Sequence, residues 1–120
     1  METLSTQACI PCTGKSPSVT DEEIAQLKPQ IPDWHIIIEY GEERLQRIYQ
    51  FADFQTALAF TQLVGEAAEK AGHHPALLTE WGQVTVTWWT HAIKGLHRND
   101  FIMAAKTDGI FDRGLVEIKG

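Results

Sequence analysis

Residues 53–75, DFQTALAFTQLVGEAAEKAGHHP, decide the reading of the fold. Asp53 is a good N-cap, because its carboxylate accepts from the unpaired N–H groups of a first helical turn. Phe54, Ala57, Leu58, Thr61, Val64, Ala68 and Ala71 then recur at helical spacing and make one apolar face. Gln55, Gln62, Glu66, Glu69 and Lys70 occupy the other. Gly72 is the residue type that takes the left-handed conformation closing many helices. The spacing predicts a helix over 54–71 that stops immediately before His73-His74-Pro75.

Strand patterns lie on both sides of this helix. Residues 34–40 and 45–51 are rich in aromatic and β-branched side chains, with Gly41-Glu42 between them in the Gly-X form of a two-residue type II′ hairpin. Residues 77–81 and 83–89 make a second hairpin around Gly82, with Val84, Val86 and Trp88 on one face and Thr85, Thr87 and Trp89 on the other. A first short helix, 21 to about 28, is capped by Thr20 or Asp21, carries Glu22 and Glu23 in its first turn and is stopped by Pro29 and Pro32. A last helix starts between Arg98 and Asp100 and runs to about Thr107, with Gly109 beyond its end. The order α-β-β-α-β-β-α predicts an α+β fold, a four-stranded antiparallel sheet with three helices packed on one face. The expected organisation is a flexible N-terminal arm over 1–19, punctuated by Pro11, Gly14 and Pro17, one domain over 20–109 and a tail over 110–120.

Composition removes several function classes. A chain of 120 residues suits one domain with a modest core, and a net charge of -6 argues against binding nucleic acid, which needs a basic face. No run approaches the roughly 18 apolar residues of a membrane span, and Met1-Glu2-Thr3 begins no signal peptide, so no membrane association and a cytoplasmic location are expected. Cys9 and Cys12 form a single CxxC. With no second CxxC and no H-x3–5-H partner, they read as reduced thiols on the arm, with a metal or redox pair as the alternative.

Three of the five histidines lie between residues 73 and 91. Imidazole exchanges protons near neutrality, so a cluster without partner cysteines or a phosphate loop points to acid–base chemistry on a small substrate. Pro75 holds His74 extended, so the neighbouring rings of His73 and His74 diverge and make an awkward pair of ligands for one metal. Direct proton transfer is therefore preferred to a metal site built from His73, His74 and His91. His73 follows the negative end of a helix, and Glu69, one turn earlier, is in reach of it. His91 follows a strand, and Trp81, across the turn at Gly82, is an aromatic surface on which a flat ring can stack. Asp100 suits the first turn of the last helix and has acceptor sites to spare for orienting His91. His35 and His97 have no partners at motif spacing, and Asn99 is a better helix cap than His97.

Taken together, Glu69-x3-His73-His74-Pro75-x5-Trp81-x9-His91-x8-Asp100 resembles the signature of the pterin-4a-carbinolamine dehydratases. Ile31-Pro32-Asp33-Trp34, the helix from Phe54 to Phe60, and Thr90-His91 with Gly95-Leu96 extend the likeness, which spans about Thr20 to Asp108. Leu77 stands where animal members carry tryptophan, and His97 where they carry serine; both resemble the bacterial branch. The resemblance implies dehydration of 4a-hydroxytetrahydrobiopterin, or a related pterin, to the quinonoid dihydropterin as part of pterin recycling. It implies no cofactor and no metal. It casts His74 and His91 as the pair flanking the 4a-hydroxyl, with His73 the rival for either place, and Glu69, Trp81 and Asp100 as binding or orienting groups. A homodimer or homotetramer is implied as well. Animal members also serve as dimerisation partners of a homeodomain transcription factor, so a non-catalytic interaction module is the alternative.

Overall fold

The computed structural model describes residues 3–10 and 16–119, with side chains described as far as residue 112. Its principal elements are α1 (Asp21–Leu27), β1 (His35–Glu39), β2 (Glu42–Gln50), α2 (Phe54–Ala71), β3 (Ala76–Glu80), β4 (Gln83–Trp88) and α3 (Arg98–Lys119), with 3-10 turns at Leu4–Thr6, Lys28–Gln30 and His91–Ile93. The strands form one antiparallel sheet in the order β1-β2-β4-β3. This is the α+β architecture expected from the sequence.

Register explains why one face of the sheet is the core face. Leu45 pairs with Trp88 and Tyr49 with Val84, and all four side chains are buried against the helices. From α2 come Ala57, Phe60, Val64 and Ala68, from α1 Leu27, and from α3 Phe101, Ile102, Met103 and Ala104. The buried stripe of α2 is thus centred on Phe60, whereas Phe54 and Leu58, expected on it, sit on its solvent shoulder. Both ends of α2 are closed as the sequence predicts. The Asp53 carboxylate accepts from Thr56 N–H at 2.8 Å, and Gly72 adopts φ 67°.

Three local details differ from expectation. The first hairpin turns at Tyr40-Gly41, both with positive φ (51° and 76°), so it is a type I′ turn one residue earlier than the predicted type II′ pair. That turn matches the right-handed twist of the strands it joins. Helix α3 runs through Gly109 to Lys119, past the predicted end near Thr107. A mid-helix glycine costs only about 1 kcal/mol, and the turn beyond it carries Phe111, whose ring lies 4.9 Å from Tyr49, 5.7 Å from Phe51 and 5.9 Å from Phe60. Asp108 ties the same helix to the sheet by accepting from Trp34 Nε1–H (3.0 Å), Arg47 (2.6 Å) and the Tyr49 hydroxyl. Burial, reinforced by the Asp108 hydrogen bond, pushes the Tyr49 hydroxyl above its ordinary range and keeps it a donor.

The third difference concerns the N-terminal arm. Residues 3–10 lie along α3 with the Leu4 side chain fully buried. Leu4 N–H donates to Gln30 (3.0 Å), Lys106 donates to the Ser5 carbonyl (3.0 Å), and Arg98 donates to the Gln7 side chain (3.0 Å). Polar composition hid this docking because a single leucine supplies the apolar anchor. Leu4→Ala is expected to lower unfolding free energy by about 2–5 kcal/mol, the usual cost of emptying a core leucine site. Leu58→Ala should stay within about 0.5 kcal/mol. Urea unfolding of the two variants checks this, and equal losses would contradict the placement of Leu4.

Candidate active site

The end of α2 sets the first histidine. Gly72 N–H reaches the carbonyls of Ala68 and Glu69, and His73 N–H returns to the Ala68 carbonyl at 3.2 Å. This is the hydrogen-bond pattern of a Schellman closure. It folds the chain back, so the His73 ring is buried and stacks on Trp88, with centroids 5.7 Å apart and planes 4° from parallel. His73 Nε2 then meets Asp100 Oδ1 at 2.6 Å. An ionised carboxylate only accepts, so Nε2 carries the hydrogen and Nδ1 is the ring's remaining site for proton exchange.

Asp100 is itself fully buried at the start of α3. Its Oδ2 accepts from the Thr90 hydroxyl (2.7 Å) and from His97 N–H (2.9 Å), while Asp100 N–H donates to the His97 carbonyl. The other half of the cap comes from His97, whose Nδ1 accepts from Asn99 N–H at 3.0 Å. His97, not Asn99, is therefore the capping residue, and a reciprocal box joins residues 97 and 100. The geometry couples Asp100 to His73 rather than to His91, because the reversed chain after Gly72 brings His73 onto the first turn of α3.

His74 and His91 have different surroundings. Pro75 follows His74, whose ring stands exposed with Nε2 3.5 Å from Glu69. Glu69 thus lies beside His74 rather than His73, and this solvent-facing pair adds little to stability. His91 opens the 3-10 turn after β4 and packs on Trp89 at 4.5 Å. Trp89 is in turn covered by the Arg44 guanidinium, 3.9 Å from its ring, and Arg44 is held by Glu39 (2.6 Å) and Glu42 (3.1 Å). His91 is therefore propped from the open face of the sheet, whereas His73 is fixed from the core.

The three imidazoles line one open cleft of about 390 Å³, together with Cys9, Ile10, Ala71, Gly72, Thr90, Ala92 and Asn99. Trp81 is not among the lining residues. It sits at the turn between β3 and β4, largely exposed. The strand between it and the cleft is five residues long, about 17 Å at the rise of an extended chain. Thr90, Asn99, Cys9 and Ile10 are not among the site residues expected from the sequence. Thr90 adjoins His91 and Asn99 adjoins Asp100, but no spacing rule marks Cys9 or Ile10. Cys12 lies outside the described residues, and among those described no group of three or more His, Cys, Asp or Glu side chains is arranged to hold a metal ion.

An α+β domain whose cleft is lined by imidazoles, one of them fixed by a buried carboxylate, is the class that the geometry defines. Residues 17–110 match the model of the family described as pterin 4 alpha carbinolamine dehydratase, and the chain belongs to that family. It is 61% identical over 108 residues to a protein of Nitrosococcus oceani, covering 90% of this chain and 96% of that one. It is 60% identical over 111 residues to a protein of Microcystis aeruginosa, covering 92% and 96%. Both relatives bear the name "Putative pterin-4-alpha-carbinolamine dehydratase". Among solved structures, the transcriptional coactivator/pterin dehydratase from Brucella melitensis superposes with a TM-score of 0.71 at 31% identity, over 78% of this chain and 98% of that one. A pterin dehydratase-like protein identified as a RuBisCO assembly factor in the alpha-carboxysome shares the fold, with a TM-score of 0.55 at 18% identity over 65% and 88% of the two chains.

Two outcomes test this geometry. Asp100→Ala leaves three buried donors unpaired and should cost about 3–5 kcal/mol in denaturant unfolding. Burial holds the His97 imidazole below its ordinary value, against the opposing pull of the Asp100 carboxylate. The unfolded chain therefore takes up a proton as pH falls through about 6.5, while folded His97 takes one up only at lower pH, so this contribution to stability is complete above that pH and is lost progressively below it. The loss approaches about 1.4 kcal/mol per pH unit at most. His97→Ser keeps a capping oxygen and removes the titration, so its melting temperature should fall less than that of the native chain between about pH 7.5 and 5.5. Parallel losses would contradict a buried neutral His97.

Proposed function

We propose that this protein dehydrates 4a-hydroxytetrahydrobiopterin, or a related pterin, to the quinonoid dihydropterin and water by histidine general acid–base catalysis. The observation that carries this reading is the convergence of His73, His74 and His91 on one cleft with His73 fixed by Asp100. The C4a–oxygen bond breaks as a proton reaches the leaving hydroxyl, and a ring N–H proton departs as the C=N bond forms. Imidazoles serve both transfers, each worth about 10²–10⁴-fold. His74 and His91, solvent-facing on the cleft, carry the two protons. His73, held by Asp100, orients the ring. Glu69 assists through His74, and Trp81 takes no part within its own chain. The reaction uses no metal or organic cofactor, occurs in the cytoplasm and serves pterin recycling. The chain acts as a homodimer or homotetramer, a reading supported by the outer edges of β1 and β3, which have no neighbouring strand within the described residues.

The test follows absorbance after fresh generation of 4a-hydroxytetrahydropterin, against the unaided dehydration. The native chain should accelerate the reaction clearly, and His74→Ala and His91→Ala should each remove about 10²-fold or more of that acceleration. Absence of acceleration by a folded native chain would overturn the enzymatic reading in favour of an interaction module. Light scattering on the same sample reads the oligomeric state, and a monomer would contradict the expected assembly.

A further inference from the structure

The family match begins at residue 17, yet two residues before it, Cys9 and Ile10, stand in the wall of the imidazole cleft. Their position is not left to a loose arm. The buried Asn99 side chain clamps the Ile10 backbone from both sides, accepting from its N–H at 3.1 Å and donating to its carbonyl at 2.7 Å. The Cys9 thiol points at the Asn99 carbonyl, 3.9 Å away. Leu4, Ser5 and Gln7 pin the preceding residues to the core and to α3, as described above. Asn99 adjoins Asp100, so one helical turn fixes both the strap and His73.

The wall differs in character from the rest of the cleft. Imidazoles, a hydroxyl and an amide supply its polar side, and Ala71 and Ala92 are small. Among the described lining residues Ile10 is the one large aliphatic side chain, and it is 60% exposed. Exposed apolar surface at the lip of a polar cleft gains most when a flat ring covers it. We propose that the N-terminal strap is part of the substrate site, with Ile10 and Cys9 packing against a face of the reduced pterin while the histidines address its reacting edge, and with Asn99 as the positioning residue. This deepens, and rests on, the dehydratase reading. The strap binds and moves no proton, so its loss weakens substrate binding and leaves the chemical step in place.

Two measurements on the full chain test it. Ile10→Asp alters an exposed side chain, so the fold is retained, as a melting curve verifies. It should raise KM for 4a-hydroxytetrahydrobiopterin at least about fivefold with kcat within about twofold. In a Cys12→Ser background, saturating 7,8-dihydrobiopterin should slow alkylation of Cys9 by iodoacetamide at least about fivefold, as expected of a thiol covered by bound ligand. A native KM in Ile10→Asp, or a Cys9 labelling rate indifferent to a pterin that demonstrably binds, overturns the strap proposal and leaves the dehydratase reading standing. A native chain that neither binds nor turns over pterin overturns the reading beneath it.

Discussion

The Asp100 carboxylate is the constraint on which the site depends. Placing a charge in a fully buried position is costly unless every acceptor direction is used. Here one oxygen takes the His73 ring, and the other takes the Thr90 hydroxyl and the His97 N–H. Those three partners come from the end of α2, the end of β4 and the start of α3. A single group thus closes a helix cap, joins three parts of the chain and sets the tautomer of an imidazole. Its position on the first turn of α3 also places it at the N-terminal end of that helix, where backbone N–H groups need acceptors.

Around that point the cleft divides into a rigid and an accessible part. His73 is stacked on Trp88 and hydrogen-bonded at its ring edge to Asp100. His74 and His91 face solvent, one beside Glu69 and the other on Trp89 under Arg44. A dehydration that moves two protons in different directions suits such a division, because orientation and exchange with water make opposite demands on a side chain. The second polar cluster, Trp34, Arg47 and Tyr49 on Asp108, holds α3 to β2 and to the entry of β1 farther along.

Much of this was legible in the sequence where local patterns agree with tertiary packing. The cap at Asp53, the left-handed Gly72, the alternation in Val84, Val86 and Trp88 and the start of α3 all follow from short-range rules, and they suffice for the α+β order. The convergence of three histidines was legible from spacing and family likeness together. Most of what was hidden depends on contacts distant in sequence. Asp100 chooses His73 over His91 because of the chain reversal after Gly72. Trp81 stands off the cleft of its own chain because a full strand separates the two. Phe111 carries α3 past a glycine, Leu4 docks an otherwise polar arm, and His97 caps a helix that its residue type does not favour. Asp100, Phe111 and Leu4 are each placed by partners more than twenty residues away, whereas the cap at His97 is set locally by Asn99 and Asp100.

The most direct test of the account is nitrogen-detected NMR of the histidine rings in the native protein, recorded with and without 7,8-dihydrobiopterin. The His73 ring should be locked with hydrogen on Nε2 and bonded to Asp100. Addition of the pterin should perturb the side-chain nitrogens of His74 and His91. A His73 ring carrying its hydrogen on Nδ1, with His74 and His91 indifferent to the pterin, would contradict both the Asp100-centred geometry and the function drawn from it.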